Sequence, residues 1–218
     1  MAPPSPPSSV PNPGRDCPLC PRLVTFRNDL RIAEPEWHNA PVPSFGSSDA
    51  ALLIVGLAPG MHGANRTGRP FTGDYAGDLL YATLLKYGLA TGEYKEDPND
   101  GLTLIGCRIT NAVRCLPPEN KPIGPEVKNC GRFLADEIAA MPKLKAVLAL
   151  GTVAHGAILV ALGQKRGALK FVHGAQHELP GGIVLADSYH CSRYNTNTGR
   201  LTEAMFHAVF EGLSARLR

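Results

Sequence analysis

The apolar run Leu52 to Val55 empties into Gly56-Leu57-Ala58-Pro59-Gly60-Met61-His62, and the same loop continues to Gly68-Arg69-Pro70-Phe71-Thr72-Gly73-Asp74. It combines glycines that let backbone N–H groups approach a ligand, a lone ring between Pro70 and Thr72, and an acid ahead of the next helix. Two other segments offer complementary groups. T-N-A-V-R-C supplies the Asn111 amide, at once acceptor and donor, and Ser188-Tyr189-His190-Cys191-Ser192-Arg193 supplies an imidazole, hydroxyls and a cation. Together they describe a binding pocket with an aromatic wall and a few polar groups. Each also has a plainer role: Phe71 as core, Asn111 as a turn residue, and Asp74 as the cap of a helix starting near Ala76.

The six cysteines sort by context. For an intracellular chain the expectation is free thiols that act as ligands, catalytic groups or core filler. Cys17 and Cys20 form C-P-L-C in a polar, proline-flanked setting. Cys115 and Cys130 bracket a segment with four prolines that leads into a helix. Cys107 sits in the apolar run Leu102 to Ile109 and is expected to be a buried, inert thiol. Two distant pairs could hold an iron–sulfur cluster or a zinc ion, and spacing does not choose between them. A Cys191 nucleophile would need a base, and the chain shows none beside it.

Those groups need elements to position them. Periodicity predicts helices near 23–33, 76–87, 125–140, 152–162 and 201–217, with Pro125 in a first turn. Strands are predicted at 51–56, 102–110, 145–150 and 183–186, with a short one near Phe171. Such alternation implies an α/β fold whose central, mostly parallel sheet is covered on both faces. Ligands then sit beyond the carboxyl ends of the strands, where the three segments fall.

With 218 residues, 44% hydrophobic and 19% charged, the chain can build one sizeable core and no second domain is expected. A net charge of +3 permits an anionic partner without demanding one. Met1 to Gly14 is rich in Pro and Ser and lacks the pattern of a signal peptide, so a disordered tail on a domain spanning 15–218 is expected. No apolar stretch is long enough to cross a bilayer, and a cytoplasmic location is expected.

The set C-P-L-C, G-L-A-P-G-M-H-G-A-N-R-T-G-R-P-F-T-G-D, N-A-V-R-C-L-P-P-E-N-K-P with Cys130, and S-Y-H-C-S-R-Y-N-T-N-T-G-R-L-T resembles the uracil-DNA glycosylase superfamily, and within it family 5, the type-b enzymes. The resemblance runs from about Cys17 to the last helix. It implies a single-domain three-layer sandwich, a 4Fe-4S cluster held by Cys17, Cys20, Cys115 and Cys130, and a monomer acting on DNA that contains uracil or other deaminated bases such as hypoxanthine. An enzyme acting on a base must take it out of the stack. The resemblance gives Phe71 the stacking role and Asn111 the reading of the uracil edge, with Gly56, Leu57, Ala58, Gly60 and His62 lining the base site.

Breaking an N-glycosidic bond leaves a cation-like sugar and a base anion. His190 is expected to donate to uracil O2 as a neutral imidazole. Ser192, Arg193 and Asn195 belong to a loop that enters the minor groove and touches phosphates in relatives. The sequence departs from the family pattern twice. The acid that many members carry just after the first strand is missing, so Asp74 is the expected carboxylate, with His62 a lesser candidate for placing water. Cys191 stands where Pro is common. A family 4 enzyme strict for uracil, and a non-catalytic four-cysteine metal module that binds nucleic acid, are the alternatives.

Overall fold

The computed structural model describes residues 12–217, so most of the expected Pro/Ser-rich tail lies outside the described residues. Five strands form the main sheet: β1 (Leu52–Gly56), β4 (Cys107–Asn111), β5 (Ala146–Leu150), β6 (Gln176–Glu178) and β7 (Val184–Ser188). Their order is β4-β1-β5-β7-β6, parallel throughout except for β6 against β7. β1, β4, β5 and β7 are buried along their whole length. That is why runs such as Leu-Leu-Ile-Val show no polar alternation.

Alternate residues of each strand serve opposite layers. Leu52, Ile54, Leu148 and Ala186 pack with Leu80 and Leu84 of α3 (Tyr75–Lys86) and with Phe206, Phe210 and Leu213 of α7 (Glu203–Leu217). Leu53, Val55, Val147 and Leu185 pack instead with Leu134 and Ile138 of α4 (Gly124–Ala139) and Ile158 of α5 (Thr152–Ala161). The result is the expected α/β sandwich of three layers. α1 (Pro21–Ala33) stands apart and joins a small cluster of Leu23, Val113 and Cys130.

Two strand predictions need correction. The run 102–110 is broken at Gly106, whose φ of +63° turns the chain, so β3 (Thr103–Leu104) pairs antiparallel with β2 (Ala90–Thr91) while β4 starts at Cys107. Phe171 lies in coil, its ring edge-on to His155 at 5.8 Å, and the extra strand is the antiparallel edge β6. Two short helices were not foreseen, α2 (Ala64–Thr67) and α6 (Arg193–Asn197). Both sit in loops at the carboxyl end of the sheet.

Candidate active site

β1 and β4 end in register, Gly56 opposite Asn111. That pairing sets the Asn111 amide beside a residue with no side chain. A Cβ on Gly56 would lie 2.6 Å from Cζ of Phe71 and would overlap Asn111 Oδ1. The ring and the amide therefore share the space above the strand ends. The Phe71 ring faces the His190 imidazole with centroids 5.8 Å apart and planes 26° from parallel. Phe71, Asn111, His190, Asp74, Ala58 and Gly60 line one small inner chamber. Asn111 is 3% exposed and its Oδ1 has no hydrogen-bond partner. An orphaned buried acceptor costs about 1–3 kcal/mol, and a ligand N–H would relieve it.

Phe71 holds its position in a left-handed backbone, φ +54°, which a bulky residue rarely adopts. The surrounding groups impose it. Arg69 grips Asp100 with two hydrogen bonds of 2.8 and 2.7 Å and donates from Nε to Thr72 Oγ1 at 2.7 Å. That guanidinium also lies 5.3 Å from the Tyr81 ring centre, and Tyr81 stacks on Tyr94 at 4.6 Å. Tyr81 donates to the Pro70 carbonyl at 2.6 Å, while Tyr94 donates to the Phe71 carbonyl at 3.2 Å and accepts from Gly73 N–H at 3.3 Å. Arg69 holds the Asp100 carboxyl well below the usual range. Sequence reasoning missed this clamp because Tyr94 and Asp100 lie outside every motif.

Asp74 does two things. Oδ1 caps α3 by accepting from Gly77 N–H at 3.3 Å, so the plainer role is present. Oδ2 is turned to the loop after β1, where a Cβ on Gly60 would lie 2.9 Å from it. Burial pushes the carboxyl up from its ordinary value, and the N–H groups of Gly77 and Ala76 pull it part of the way back. Burial alone pushes the His190 imidazole down to about 4, so the ring is neutral at pH 7.

The loop that carries His190 is tied down on both sides. Asn195 Nδ2 donates to the His190 carbonyl at 2.8 Å, so this side chain faces the loop itself. Cys191, fully buried, donates from Sγ to the Ala76 carbonyl at 3.3 Å. Burial raises its thiol, which fits an anchor and not a nucleophile. Outside the chamber lies a wider cleft bordered by Leu57, His62, Asn120, Thr152, Ser192 and Arg193. Arg193 rests over the Tyr75 ring at 5.3 Å. His62 is exposed on this rim, edge-on to Trp37 at 5.5 Å, and is not part of the inner chamber. Arg114 turns inward to Glu137, and its Nε donates to the Asn111 carbonyl at 3.2 Å.

Cys17, Cys20, Cys115 and Cys130 are free thiols around one small cavity, and Cys107 is buried elsewhere as expected. Among the described residues no three of these sulfurs come within 4.8 Å of one another. A single zinc bonded to four sulfurs at about 2.3 Å would draw them to within about 3.8 Å, whereas a four-iron cube needs a wider cage. Cys130 Sγ accepts from Arg114 N–H at 3.3 Å. Arg27 Nε, at the same cavity, is buried without a partner. Burial pushes the Cys115 thiol up to about 12 and raises those of Cys20 and Cys130. The cage thus favours thiolates only if a bound metal supplies the compensating charge, and the Arg27 N–H lies at the same cavity.

The family model of the uracil DNA glycosylase superfamily matches residues 43–214. A type-5 uracil-DNA glycosylase of Thermus thermophilus is 47% identical over 199 residues, covering 88% of this chain and 90% of its own. One from Pyrobaculum aerophilum is 42% identical over 191 residues, 86% of this chain and 83% of its own. A type-4 uracil-DNA glycosylase of the same organism is 33% identical over 134 residues, 61% of this chain and 60% of its own. By these matches, over a fold and motif loops of the kind described, the chain belongs to the uracil DNA glycosylase superfamily and groups with its type-5 members.

Proposed function

We propose that this chain is a monofunctional DNA glycosylase that hydrolyses the bond between deoxyribose and uracil in DNA, leaving an abasic site and starting base-excision repair. The observation that carries it is the convergence of the Phe71 ring, the unpaired Asn111 Oδ1, a neutral His190 and Asp74 on one chamber. An everted uracil stacks on Phe71, gives its N3–H to Asn111 Oδ1 and takes a hydrogen bond from the amide NH₂ at O4. His190 N–H meets O2, where the leaving base gathers negative charge. A neutral donor suffices because the base departs as an anion.

Asp74 Oδ2 lies on the deoxyribose side. Its charge stabilises the cation-like sugar and its oxygen accepts from the incoming water. Ser192 and Arg193 border the outer cleft and hold the duplex through phosphates. The turn from Gly56 to His62 carries no acid, so the chamber also admits other deaminated bases such as hypoxanthine. Cys17, Cys20, Cys115 and Cys130 would hold a 4Fe-4S cluster, which supplies a structural cross-link between the α1 segment and the loop after β4, with no redox turnover.

A panel of oligonucleotides bearing uracil, hypoxanthine or undamaged bases, treated with protein and then alkali, tests the proposal. Strand cleavage at uracil that is lost in His190→Ala supports it, and absence of cleavage by iron-loaded protein overturns it. Brown protein with a broad visible band and about four irons per chain supports the cluster over zinc.

A further inference from the structure

Away from the chamber, on the α5 face of the sheet, three side chains from three elements meet: His155 of α5, His177 of β6 and Asp187 of β7. Their ligand atoms all lie within 4.8 Å of one another. His155 is 2% exposed and Asp187 is fully buried. His155 Nδ1 is 2.7 Å from Asp187 Oδ1, and its Nε2 is 3.0 Å from the Leu169 carbonyl. His177 Nε2 lies 3.4 Å from Asp187 Oδ2 and, though buried, makes no hydrogen bond. Val172 N–H completes the set by donating to Asp187 Oδ2 at 3.2 Å.

His177 Nε2 is the group that these contacts leave without a hydrogen bond. A neutral imidazole has one N–H. If the Leu169 carbonyl takes it, Nδ1 turns a lone pair on a carboxylate oxygen. A proton between them would satisfy His155 and Asp187 and leave His177 Nε2 with only its 3.4 Å approach to Asp187 Oδ2. A divalent ion accepts all three lone pairs, and the Leu169 carbonyl becomes the outer partner that fixes the His155 tautomer, as metal-bound histidines require. Two imidazoles and one carboxylate are a donor set for zinc, with a fourth position left for water.

We propose that His155, His177 and Asp187 form a zinc site separate from the cysteine cage. Asp187 lies three residues ahead of His190, so the ion would fix the end of β7 from which the His190 loop departs.

Cobalt(II) titrated into chelator-treated protein that retains its iron tests this directly. The expected spectrum shows one equivalent of cobalt with weak d–d bands, no thiolate-to-cobalt charge-transfer band, and displacement by zinc. His177→Gln should weaken zinc binding at least about 100-fold, since even losing an outer partner costs 10–100-fold. Wild-type protein without d–d bands would leave the pair proton-bridged and overturn the proposal, as would bands carrying thiolate charge transfer. Should the variant fold poorly, the wild-type spectrum decides alone.

Discussion

Replacing Gly56 by alanine perturbs both base-holding groups with one methyl. Gly56 has no positive φ, so the strand backbone accepts alanine without strain. The new Cβ would stand 2.6 Å from Cζ of Phe71 and would overlap Asn111 Oδ1. To regain an ordinary carbon–carbon separation of about 3.5 Å, the ring must retreat by about 0.9 Å. Misplacement on the order of 1 Å costs about 100-fold in rate, or about 2.7 kcal/mol of barrier. Overpacking would also lower stability by about 1–3 kcal/mol. Single-turnover uracil release from duplex oligonucleotide, at enzyme well above the dissociation constant, reads the chemical step. Affinity for undamaged DNA should stay unchanged, because the outer cleft is not touched. Folded G56A protein with uracil release within threefold of the parent would refute the placement of Phe71 and Asn111 around the base.

Asp74→Asn should abolish most excision yet raise the melting temperature at pH 7.5. The folded-state pKa of Asp74 is raised, so the carboxyl's contribution is present at low pH and lost as pH rises through the unfolded and then the folded value. An amide removes that penalty while still capping α3, and a lower melting temperature would contradict it. The excision rate should show no inflection near pH 6.5, because His190 stays neutral down to about 4, and should fall in acid as Asp74 protonates. A break near 6.5 that disappears in a His190 variant would refute the neutral donor. Tyr94→Phe keeps the stack on Tyr81 but loses the hydroxyl that bridges Phe71 and Gly73. It should reduce kcat about tenfold and stability by about 1–2 kcal/mol, with DNA affinity unchanged; an unaltered kcat would remove the clamp from the mechanism.

Much of the site was legible because its parts sit in loops that directly follow apolar runs. Phe71, Asp74 and His190 lie in segments after β1 and β7, Asn111 ends β4, and the parallel sheet brings those ends together, while their roles came from the family resemblance. What stayed hidden depends on partners distant in sequence. Nothing near Phe71 announces its left-handed backbone, which Tyr94 and Asp100 impose from the loop joining β2 to β3. The strand at 102–110 read as continuous because Gly106 is one residue among hydrophobics, and only its φ reveals the turn. Cys191, suspect as a replacement for proline, proves to anchor the loop through Ala76. His155 and His177 carried no motif, and their meeting over Asp187 required three elements to fold first.

The backbone of Phe71 has a consequence for how this pocket tolerates change. Left-handed geometry suits glycine or asparagine better than phenylalanine by about 1–2 kcal/mol, and burial of the ring in the core offsets that cost. The pocket wall therefore persists against a local conformational preference. Phe71→Asn would relax the backbone yet remove a buried ring whose loss costs about 3–5 kcal/mol, leaving a less stable protein with no flat surface for an extruded nucleobase.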